Sequence, residues 1–449
     1  MPEPRYRVAI VGAGPSGLFA AQFLTARDDI DVDIFDRLPT PYGLLRYGVA
    51  PDHTSIKAVA RALAQVFDAP NVRFLGLVDF GRDLTRDELL TGYDAVIYAV
   101  GASEDLRMGV WGEDALGSRS AREFVAWYSG HPDAEPQSLD GVAQAVAVGV
   151  GNVAVDVARI LVKEPLALNV TDMPADVLGE LHRSRLSDVW VIGRRGPQHA
   201  SFTTTELREL CRTPGVAVSV APEAFEGIDD DTLDRRTRAN VAVLREAAST
   251  EVADPRMRLH FLFWRRPVEL HGDPVRGLVL ERTELAADGR VIGTGATETL
   301  DVELVLRAIG YRAVRLPGVA FDELLGVIPS EHGRVLHGTT VAPREYVVGW
   351  IKRGPVGVIG TNKSDARETV EHLLDDLAEL GPRTDRVDLI TSLAARGFVP
   401  SSYDDWRRIE SAEANRGASH ARERMKIEAW HELLDLVQAE RPGGPIPLG

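Results

Sequence analysis

Residues 8–17 read VAIVGAGPSG, and residues 18–24 continue as LFAAQFL. A short β-branched run, a Gly-x-Gly-x-x-Gly turn and an apolar pattern at helical spacing predict a strand, a phosphate-binding turn and a helix. The pattern recurs, because AVAVGVGNVA at residues 145–154 leads into VDVARIL at residues 155–161. Two such units predict an α/β protein built from two dinucleotide-binding, Rossmann-like domains.

Strand-like segments elsewhere indicate how the two units divide the chain. Runs at residues 32–36 and 95–100 extend the first unit, and runs at residues 189–193, 259–264 and 304–306 extend the second. Because the second unit lies in the middle of the chain, we expect its domain to be inserted into the first.

The expected domain bounds follow from this insertion. They are residues 1–107 for the first part of the first domain, residues 108–328 for the second domain, and residues 329–449 for the remainder of the first, which includes a helical C-terminal region.

Composition excludes several classes of function. Acidic residues outnumber basic ones by 67 to 51, so the net charge of −16 argues against a broad nucleic-acid-binding surface. The single cysteine, Cys211, excludes an internal disulfide and a cluster held by four thiolates of this chain, and we expect it to be a buried structural thiol. The sequence has no apolar run of about 18 residues and no secretory pattern near Met1, so we expect no membrane span and a cytoplasmic location.

The first glycine turn has the features of a dinucleotide site. Gly12 permits a tight turn, Gly14 lets a pyrophosphate approach the backbone, and Gly17 lets the helix pack closely on the strand. Asp36 ends the next strand, where a carboxylate can accept hydrogen bonds from a ribose diol. This site is predicted to take FAD or NAD.

The second turn, Gly149-x-Gly151-x-x-Ala154, differs at the ribose position. The strand after it ends in GRRGP at residues 193–197, with no carboxylate. Arg194 and Arg195 suit a 2′-phosphate through charge-assisted hydrogen bonds, so the second site is predicted to bind NADP. The long stretch before Arg194 predicts an insertion at residues 163–187.

An enzyme with FAD in one domain and NADPH in the other moves a hydride from nicotinamide to flavin. With one cysteine and no internal redox pair, the electrons must leave for an external acceptor. A flavin monooxygenase and a non-catalytic NADP-sensing protein are alternatives. Oxygen consumption that yields a hydroxylated organic product would favour the former, and a colourless chain that binds no flavin the latter.

Five motifs stand in an order that identifies a family. They are PYGLLRYGVAPDH at 41–53, GNVAVD at 151–156, GRRGP at 193–197, FTTTELREL at 202–210, and GWIKRGPVGVIGTN at 349–362. Across residues 5–425 the chain resembles the adrenodoxin-reductase-type NADPH–ferredoxin reductases, in the bacterial form without a fused ferredoxin domain.

The resemblance implies an FAD-dependent NADPH–ferredoxin oxidoreductase that supplies an iron–sulfur ferredoxin, and through it downstream oxidases or biosynthesis, with no metal site in this chain. The implied flavin-site residues are Gly12, Gly14, Pro15, Ser16, Gly17, Asp36, Arg37, Gly43, Leu44, His53, Val78, Ala99, Gly101, Trp350, Gly357, Val358 and Ile359. The implied NADP contacts are Gly151, Asn152, Val153, Arg194, Arg195, Glu206 and Gly357, with Arg107 a weaker candidate because a residue is inserted near Leu106.

The resemblance also implies a catalytic pair and a partner. His53 and Glu209 are implied to form an ion pair near the flavin, where they tune it and position the nicotinamide without donating an obligatory proton.

Ferredoxins are acidic, so we expect a locally basic docking patch on a monomeric reductase. The first candidates are Arg235, Arg236, Arg238 and Arg245 within one predicted helix, followed by Arg265-Arg266 and Lys352-Arg353.

Overall fold

The computed structural model describes residues 6–357 and 359–438, apart from the side chains of residues 54–57. In chain order the strands are β1 Tyr6–Val11, β2 Ile30–Phe35, β3 Val72–Leu75, β4 Ala95–Tyr98, β5 Glu104–Asp105, β6 Ser118–Ser120, β7 Gln144–Val148, β8 Asp188–Gly193, β9 Val216–Val220, β10 Met257–Phe263, β11 Arg265–His271, β12 Gly277–Leu285, β13 Val291–Leu300, β14 Leu304–Arg307, β15 Tyr311–Arg312, β16 Ser330–Glu331, β17 Arg334–His337 and β18 Thr340–Val347. The α-helices are α1 Pro15–Leu24, α2 Leu44–Tyr47, α3 Thr54–Ala64, α4 Arg86–Gly92, α5 Ala121–Tyr128, α6 Asn152–Val162, α7 Pro165–Leu168, α8 Ala175–Arg183, α9 Thr204–Cys211, α10 Arg235–Ser249, α11 Trp350–Arg353, α12 Ile359–Leu380, α13 Leu389–Ala395, α14 Tyr403–Ala418 and α15 Trp430–Gln438.

The first sheet joins strands from both ends of the chain. Its seven strands run in the order β16-β17-β18-β4-β1-β2-β3, and β18, β4, β1, β2 and β3 are parallel. When helices cover both faces of a parallel sheet, its strands are apolar along their whole length. Strands β1 and β2 fit this rule, because they are buried at nearly every position. The carboxyl ends of β1 and β2 therefore meet at one edge, where the first glycine turn lies.

The second sheet is formed by the middle of the chain. Its six strands run in the order β6-β14-β7-β8-β10-β9 and are all parallel. The antiparallel sheet β11-β12-β13 packs beside it around a core that includes Val146 and Leu278. The predicted fold, with one Rossmann-like domain inserted into another, is confirmed, while the exact bounds at 107/108 and 328/329 stay predictions.

Helices cover the sheets and fill the predicted insertion. The short helices α7 and α8 occupy residues 163–187, which lengthens the connection from α6 to β8. Helix α14 starts with a capping box between Ser402 and Asp405 and buries Trp406 against the first domain. None of the helices in the described ranges has both the length and the apolar character that crossing a membrane requires.

Candidate active site

The first glycine turn closes tightly between β1 and α1. Gly12 has φ +110°, and a Cβ there would lie 2.6 Å from the carbonyl oxygen of Ala99. A Cβ at Gly17 would lie 2.1 Å from the carbonyl oxygen of Gly12, so the helix could not pack this closely with any larger residue. These two contacts support the roles that the sequence predicts for Gly12 and Gly17.

Gly14 faces open space at the start of α1. A Cβ at this position would meet no atom within 4 Å, and Gly14 supplies no capping side chain to the first turn. The free N–H groups of such a turn and the positive end of its helix dipole suit a phosphate. Gly43 forms a wall beside this space, since a Cβ on it would lie 3.0 Å from the Cα of Gly14. The cradle therefore fits the pyrophosphate of a dinucleotide.

Asp36 is fixed at the end of β2 by the backbone. Its Oδ2 accepts from the N–H of Ala13 at 2.8 Å and its Oδ1 from the N–H of Leu38 at 2.9 Å. Burial raises the pKa of Asp36 despite these bonds. A carboxylate has about four acceptor sites, so these backbone bonds leave acceptor capacity for a hydroxyl of a ribose.

The second glycine turn repeats this geometry in the inserted domain. Gly149 has φ +132°, and a Cβ there would lie 2.3 Å from the carbonyl oxygen of Ala308. Gly151 caps α6 without a side chain, so the first turn of this helix also offers N–H groups to a phosphate. The Oδ1 of Asn152 accepts from the N–H of Thr203 at 2.8 Å and so fixes the start of α9 beside the turn.

Arg194 and Arg195 follow β8 at the edge of this second cleft. Arg194 is exposed and Arg195 half-buried, and neither has a carboxylate within ion-pair distance among the described residues. The Nε of Arg195 and the Oε1 of Gln198 are buried without a hydrogen-bond partner in that part of the chain. Unpaired arginines and an orphaned guanidinium nitrogen fit a phosphate group.

His53 lies between the two domains. Its Nε2 is 2.7 Å from Oε2 of Glu206 on α9 and 3.1 Å from Oδ1 of Asp156 on α6. Burial opposes the charged imidazolium, but the hydrogen bonds to Asp156 and Glu206 outweigh it and raise the pKa of His53 to about 9. Burial would raise the pKa of Glu206, and the contacts with His53 and Arg159 lower it instead.

The structure corrects the expected partner of His53. A ring nitrogen of His53 and carboxylate oxygens of Glu206 and Glu209 lie within 4.8 Å of one another, but the ion pairs of His53 are with Glu206 and Asp156. The reason is the position on α9: Glu206 lies in the first turn and is half-buried, whereas Glu209 lies one turn further along and is exposed. The catalytic role of Glu209 stays a prediction.

A buried group of charges joins this site that the sequence analysis missed. Arg159, whose side chain is 2% exposed, donates from Nε and Nη2 to Asp52 at 3.0 Å each. Lys163 binds the same carboxylate at 2.8 Å. Burial would raise the pKa of Asp52, yet these two cations hold it well below its usual range. The sequence did carry a signal for this cluster, because charged residues line one face of the apolar helix α6 and its C-terminal end. They are spaced i, i+3 and i+7, at Asp156, Arg159 and Lys163.

The contacts of the remaining predicted flavin-site residues with a cofactor stay predictions, and the structure gives their burial. Pro15 and Ser16 begin α1, Ala99 and Val78 are buried beside the turn, and Gly101, Leu44, Trp350, Gly357 and Ile359 are at least partly accessible. Arg37 forms an ion pair with Asp133 of the inserted domain, with 2.5 Å between Nη1 and Oδ2. Val358 lies outside the described residues.

On the NADP side, Val153 is half-buried in the first turn of α6. Arg107 is exposed and paired with the acids Glu113 and Asp114, so its guanidinium is already engaged.

The arginines proposed for docking are not equivalent. Arg235 and Arg236 are exposed at the start of α10 and have no side-chain partner among the described residues. Arg238 donates to two backbone carbonyls, and Arg245 pairs with Asp230 at 2.6 Å. Asp230 and the adjacent loop therefore already engage Arg238 and Arg245, and docking through these four arginines stays a prediction.

The reserve candidates are also paired. Their ion-pair partners are Glu298 for Arg265, Glu281 for Arg266, Asp365 and Glu368 for Lys352, and Asp365 for Arg353. Cys211 is half-buried, and burial raises its thiol pKa to about 12, which fits a structural role.

Comparison with known proteins agrees with this architecture. Residues 10–75 match the model of the NAD(P)-binding Rossmann-like domain. The chain is 43% identical to NADPH-ferredoxin reductase FprA of Mycobacterium tuberculosis, over 96% of this chain and 98% of the relative. It is 37% identical to the human mitochondrial NADPH:adrenodoxin oxidoreductase, over 97% and 92%. The solved structure of Mycobacterium tuberculosis FprA in complex with NADPH superposes with a TM-score of 0.91, at 41% identity over 96% of this chain and 99% of that one.

Proposed function

Because the chain belongs to the family of NADPH–ferredoxin and NADPH:adrenodoxin reductases, we propose that it oxidises NADPH and passes the electrons through FAD to an iron–sulfur ferredoxin. The observation that carries the proposal is the contrast between the two clefts. Asp36 ends β2 in one, where a carboxylate suits a ribose diol, and the unpaired Arg194 and Arg195 end β8 in the other, where they suit a 2′-phosphate.

The first domain would hold the FAD. When bound, FAD accepts a hydride and returns electrons one at a time, which links a two-electron donor to a one-electron acceptor. The turn at Gly12 and Gly14 and the N-terminus of α1 bind the pyrophosphate, and Asp36 accepts from the ribose. Trp350 and the backbone at Gly357 and Ile359 approach from the last part of the chain.

The second domain would hold NADPH. Gly151 and the first turn of α6 bind its pyrophosphate, with Asn152 and Val153 beside it. Arg194 and Arg195 bind the 2′-phosphate, which NADH lacks. Since a guanidinium forms charge-assisted hydrogen bonds with phosphate, this contact gives the preference for NADPH.

The charged cluster at the domain junction would act where the two clefts meet. His53 holds a proton at Nε2 between Glu206 and Asp156, and Glu209 lies within 4.8 Å. Asp156 and Glu206 favour the charged form of His53, and Arg159 and Lys163 compensate the neighbouring carboxylates, so the cluster would present a fixed arrangement of charges to the reacting rings. We expect this cluster to tune and position the reacting rings, with some activity remaining in its absence.

The partner is an acidic iron–sulfur protein, and its docking site would be local. Arg235 and Arg236 are exposed at the start of α10 and form no side-chain hydrogen bond or ion pair within the described ranges, so we assign them the direct contacts. Arg238 and Arg245 would hold the loop that precedes the helix. The chain carries −16 overall, so a small basic patch must guide an acidic partner to one face.

A spectrum of the purified protein tests the proposal. Two flavin absorption bands should be present, they should bleach with NADPH under anaerobic conditions, and a ferredoxin should then be reduced. Chromatography of the released cofactor should identify FAD. A colourless chain that takes up no FAD, or NADPH oxidation that reduces no ferredoxin and instead hydroxylates an organic substrate, would contradict it.

A further inference from the structure

One nitrogen of His53 has two incompatible kinds of neighbour. Nε2 lies 2.7 Å from Nη2 of Arg159, which can only donate, and 2.7 Å from Oε2 of Glu206, which accepts when ionised. A protonated Nε2 can donate to Glu206 but cannot accept from Arg159. An unprotonated Nε2 can accept from Arg159 but has nothing to donate to Glu206. The two bonds therefore exclude each other.

We propose that Arg159 is a positioning residue that sets the protonation of His53 by competing with Glu206 for Nε2. When the proton leaves Nε2, the guanidinium supplies a replacement hydrogen bond at the same atom. The neutral ring is thus stabilised in one tautomer, with its hydrogen on Nδ1. The inference deepens the proposed function, on which it rests, by assigning the residue that governs the proton at the domain junction.

Arg159 is held in place to do this. Its Nε and Nη2 both donate to Asp52, the residue before His53. These two bonds tie the guanidinium to the loop that carries the His53 ring. Nη1 contacts Asp156 at 3.0 Å and Glu206 at 3.3 Å. The side chain is 2% exposed, so solvent screens its charge little. A cation so confined acts on His53 from a fixed distance.

The charges around His53 come from every element that packs on it. The titratable or charged groups are Asp52 on its own loop, Asp156 and Arg159 on α6, and Glu206 and Glu209 on α9, and Tyr128 on α5 interacts with Asp52, Asp156 and Arg159. Arg159 is the cation in direct contact with the ring. Burial and its charge lower the pKa of His53, while Asp156 and Glu206 raise it. Removing Arg159 should therefore raise that pKa further.

Nuclear magnetic resonance of labelled histidine tests the inference in the holoenzyme. His53→Gln identifies the resonance of His53 by its loss. In Arg159→Met the pKa of His53 should rise by about one pH unit or more, because a cation in contact with the ring is gone. Arg159→Lys keeps a charge and should restore a value nearer to the wild type. Lys163→Met is the matched control, since Lys163 directly follows α6 and bonds Asp52 but not the ring.

An unchanged or lowered His53 pKa in Arg159→Met would overturn the inference, and so would an equal rise in Lys163→Met. If Arg159→Met does not fold, the ¹⁵N shifts of the wild type decide instead. Above the pKa, neutral His53 should carry its proton on Nδ1, and a proton on Nε2 would refute the competition. Neither readout uses turnover, so failure of NADPH to reduce the flavin would contradict the proposed function and leave this inference to be judged by the titration.

Discussion

Replacing Arg194 and Arg195 together by alanine should abolish most of the preference for NADPH. A hydrogen bond to a charged group contributes about 1.5–3 kcal/mol. Arg194 is exposed and belongs near the lower value, while the half-buried Arg195, whose Nε has no partner in the described structure, belongs near the upper value. Together they give about 4.5 kcal/mol, and since 1.4 kcal/mol is tenfold, the preference should fall by about three powers of ten.

The assay is the ratio of kcat/KM for NADPH to kcat/KM for NADH, with ferricyanide as acceptor so that partner docking is not involved. The value for NADH should change little, because the arginines contact a group that NADH lacks. Arg276→Ala removes another exposed arginine of the inserted domain and serves as the control. A double variant that retains the wild-type ratio would refute the assignment of these side chains to the 2′-phosphate.

Three further outcomes are expected. Gly14→Ala should weaken FAD binding but leave the apoprotein as stable as the wild type, because a Cβ there meets no atom within 4 Å. Gly17→Ala should destabilise the fold itself. An equal loss of unfolding free energy in both variants would contradict the phosphate cradle at Gly14. The pKa of His53 is about 9 in the native state against an ordinary 6.5, so its protonation stabilises the fold fully below pH 6.5 and this contribution is lost as pH rises through 9. The difference in unfolding free energy between wild type and His53→Gln should shrink across that window, and a constant difference would count against it. Arg235→Glu with Arg236→Glu should raise KM for ferredoxin several-fold at low salt, with less effect at high salt and none on ferricyanide reduction; unaltered ferredoxin kinetics would clear these residues.

The two glycine turns were predictable because their chemistry is local. The strand, turn, helix and ribose-position residue of each unit lie within a short stretch, and the positive φ of Gly12 and Gly149 is a property of the turn itself. The insertion of one domain into the other also followed from the order of the segments. Arg194 and Arg195 could be assigned because the absence of an acid after β8 is visible in the sequence.

The junction was not predictable in the same way. Asp52 and Arg159 are far apart in the chain, and only the packing of two domains brings them to 3.0 Å. Whether Glu206 or Glu209 pairs with His53 depends on which turn of α9 faces the ring. The sequence cannot decide this, because both carboxylates lie on the same helix, one turn apart.

The docking role of α10 stays a prediction, and the structure shows that a neighbouring loop engages some of its arginines. Asp230 binds Arg245, and a carbonyl of the same residue accepts from Arg238. The acids at residues 229–231 were visible in the sequence, yet only the folded loop decides which arginines they engage. Counting basic residues on one helix therefore overestimated the free charge.

The junction joins a loop of one domain to two helices of the other. Asp52 and His53 belong to a loop of the first domain, and Arg159 and Glu206 belong to the second. Removing one partner of a buried ion pair leaves an uncompensated charge and costs about 3–5 kcal/mol, so this contact depends on both of its partners. An apolar contact of the same size is not directional, so it would allow one domain to shift along the other. The two hydrogen bonds from Arg159 to Asp52 are directional and favour one relative position. The proposed control of the His53 proton therefore depends on the same two bonds that join the His53 loop to the second domain.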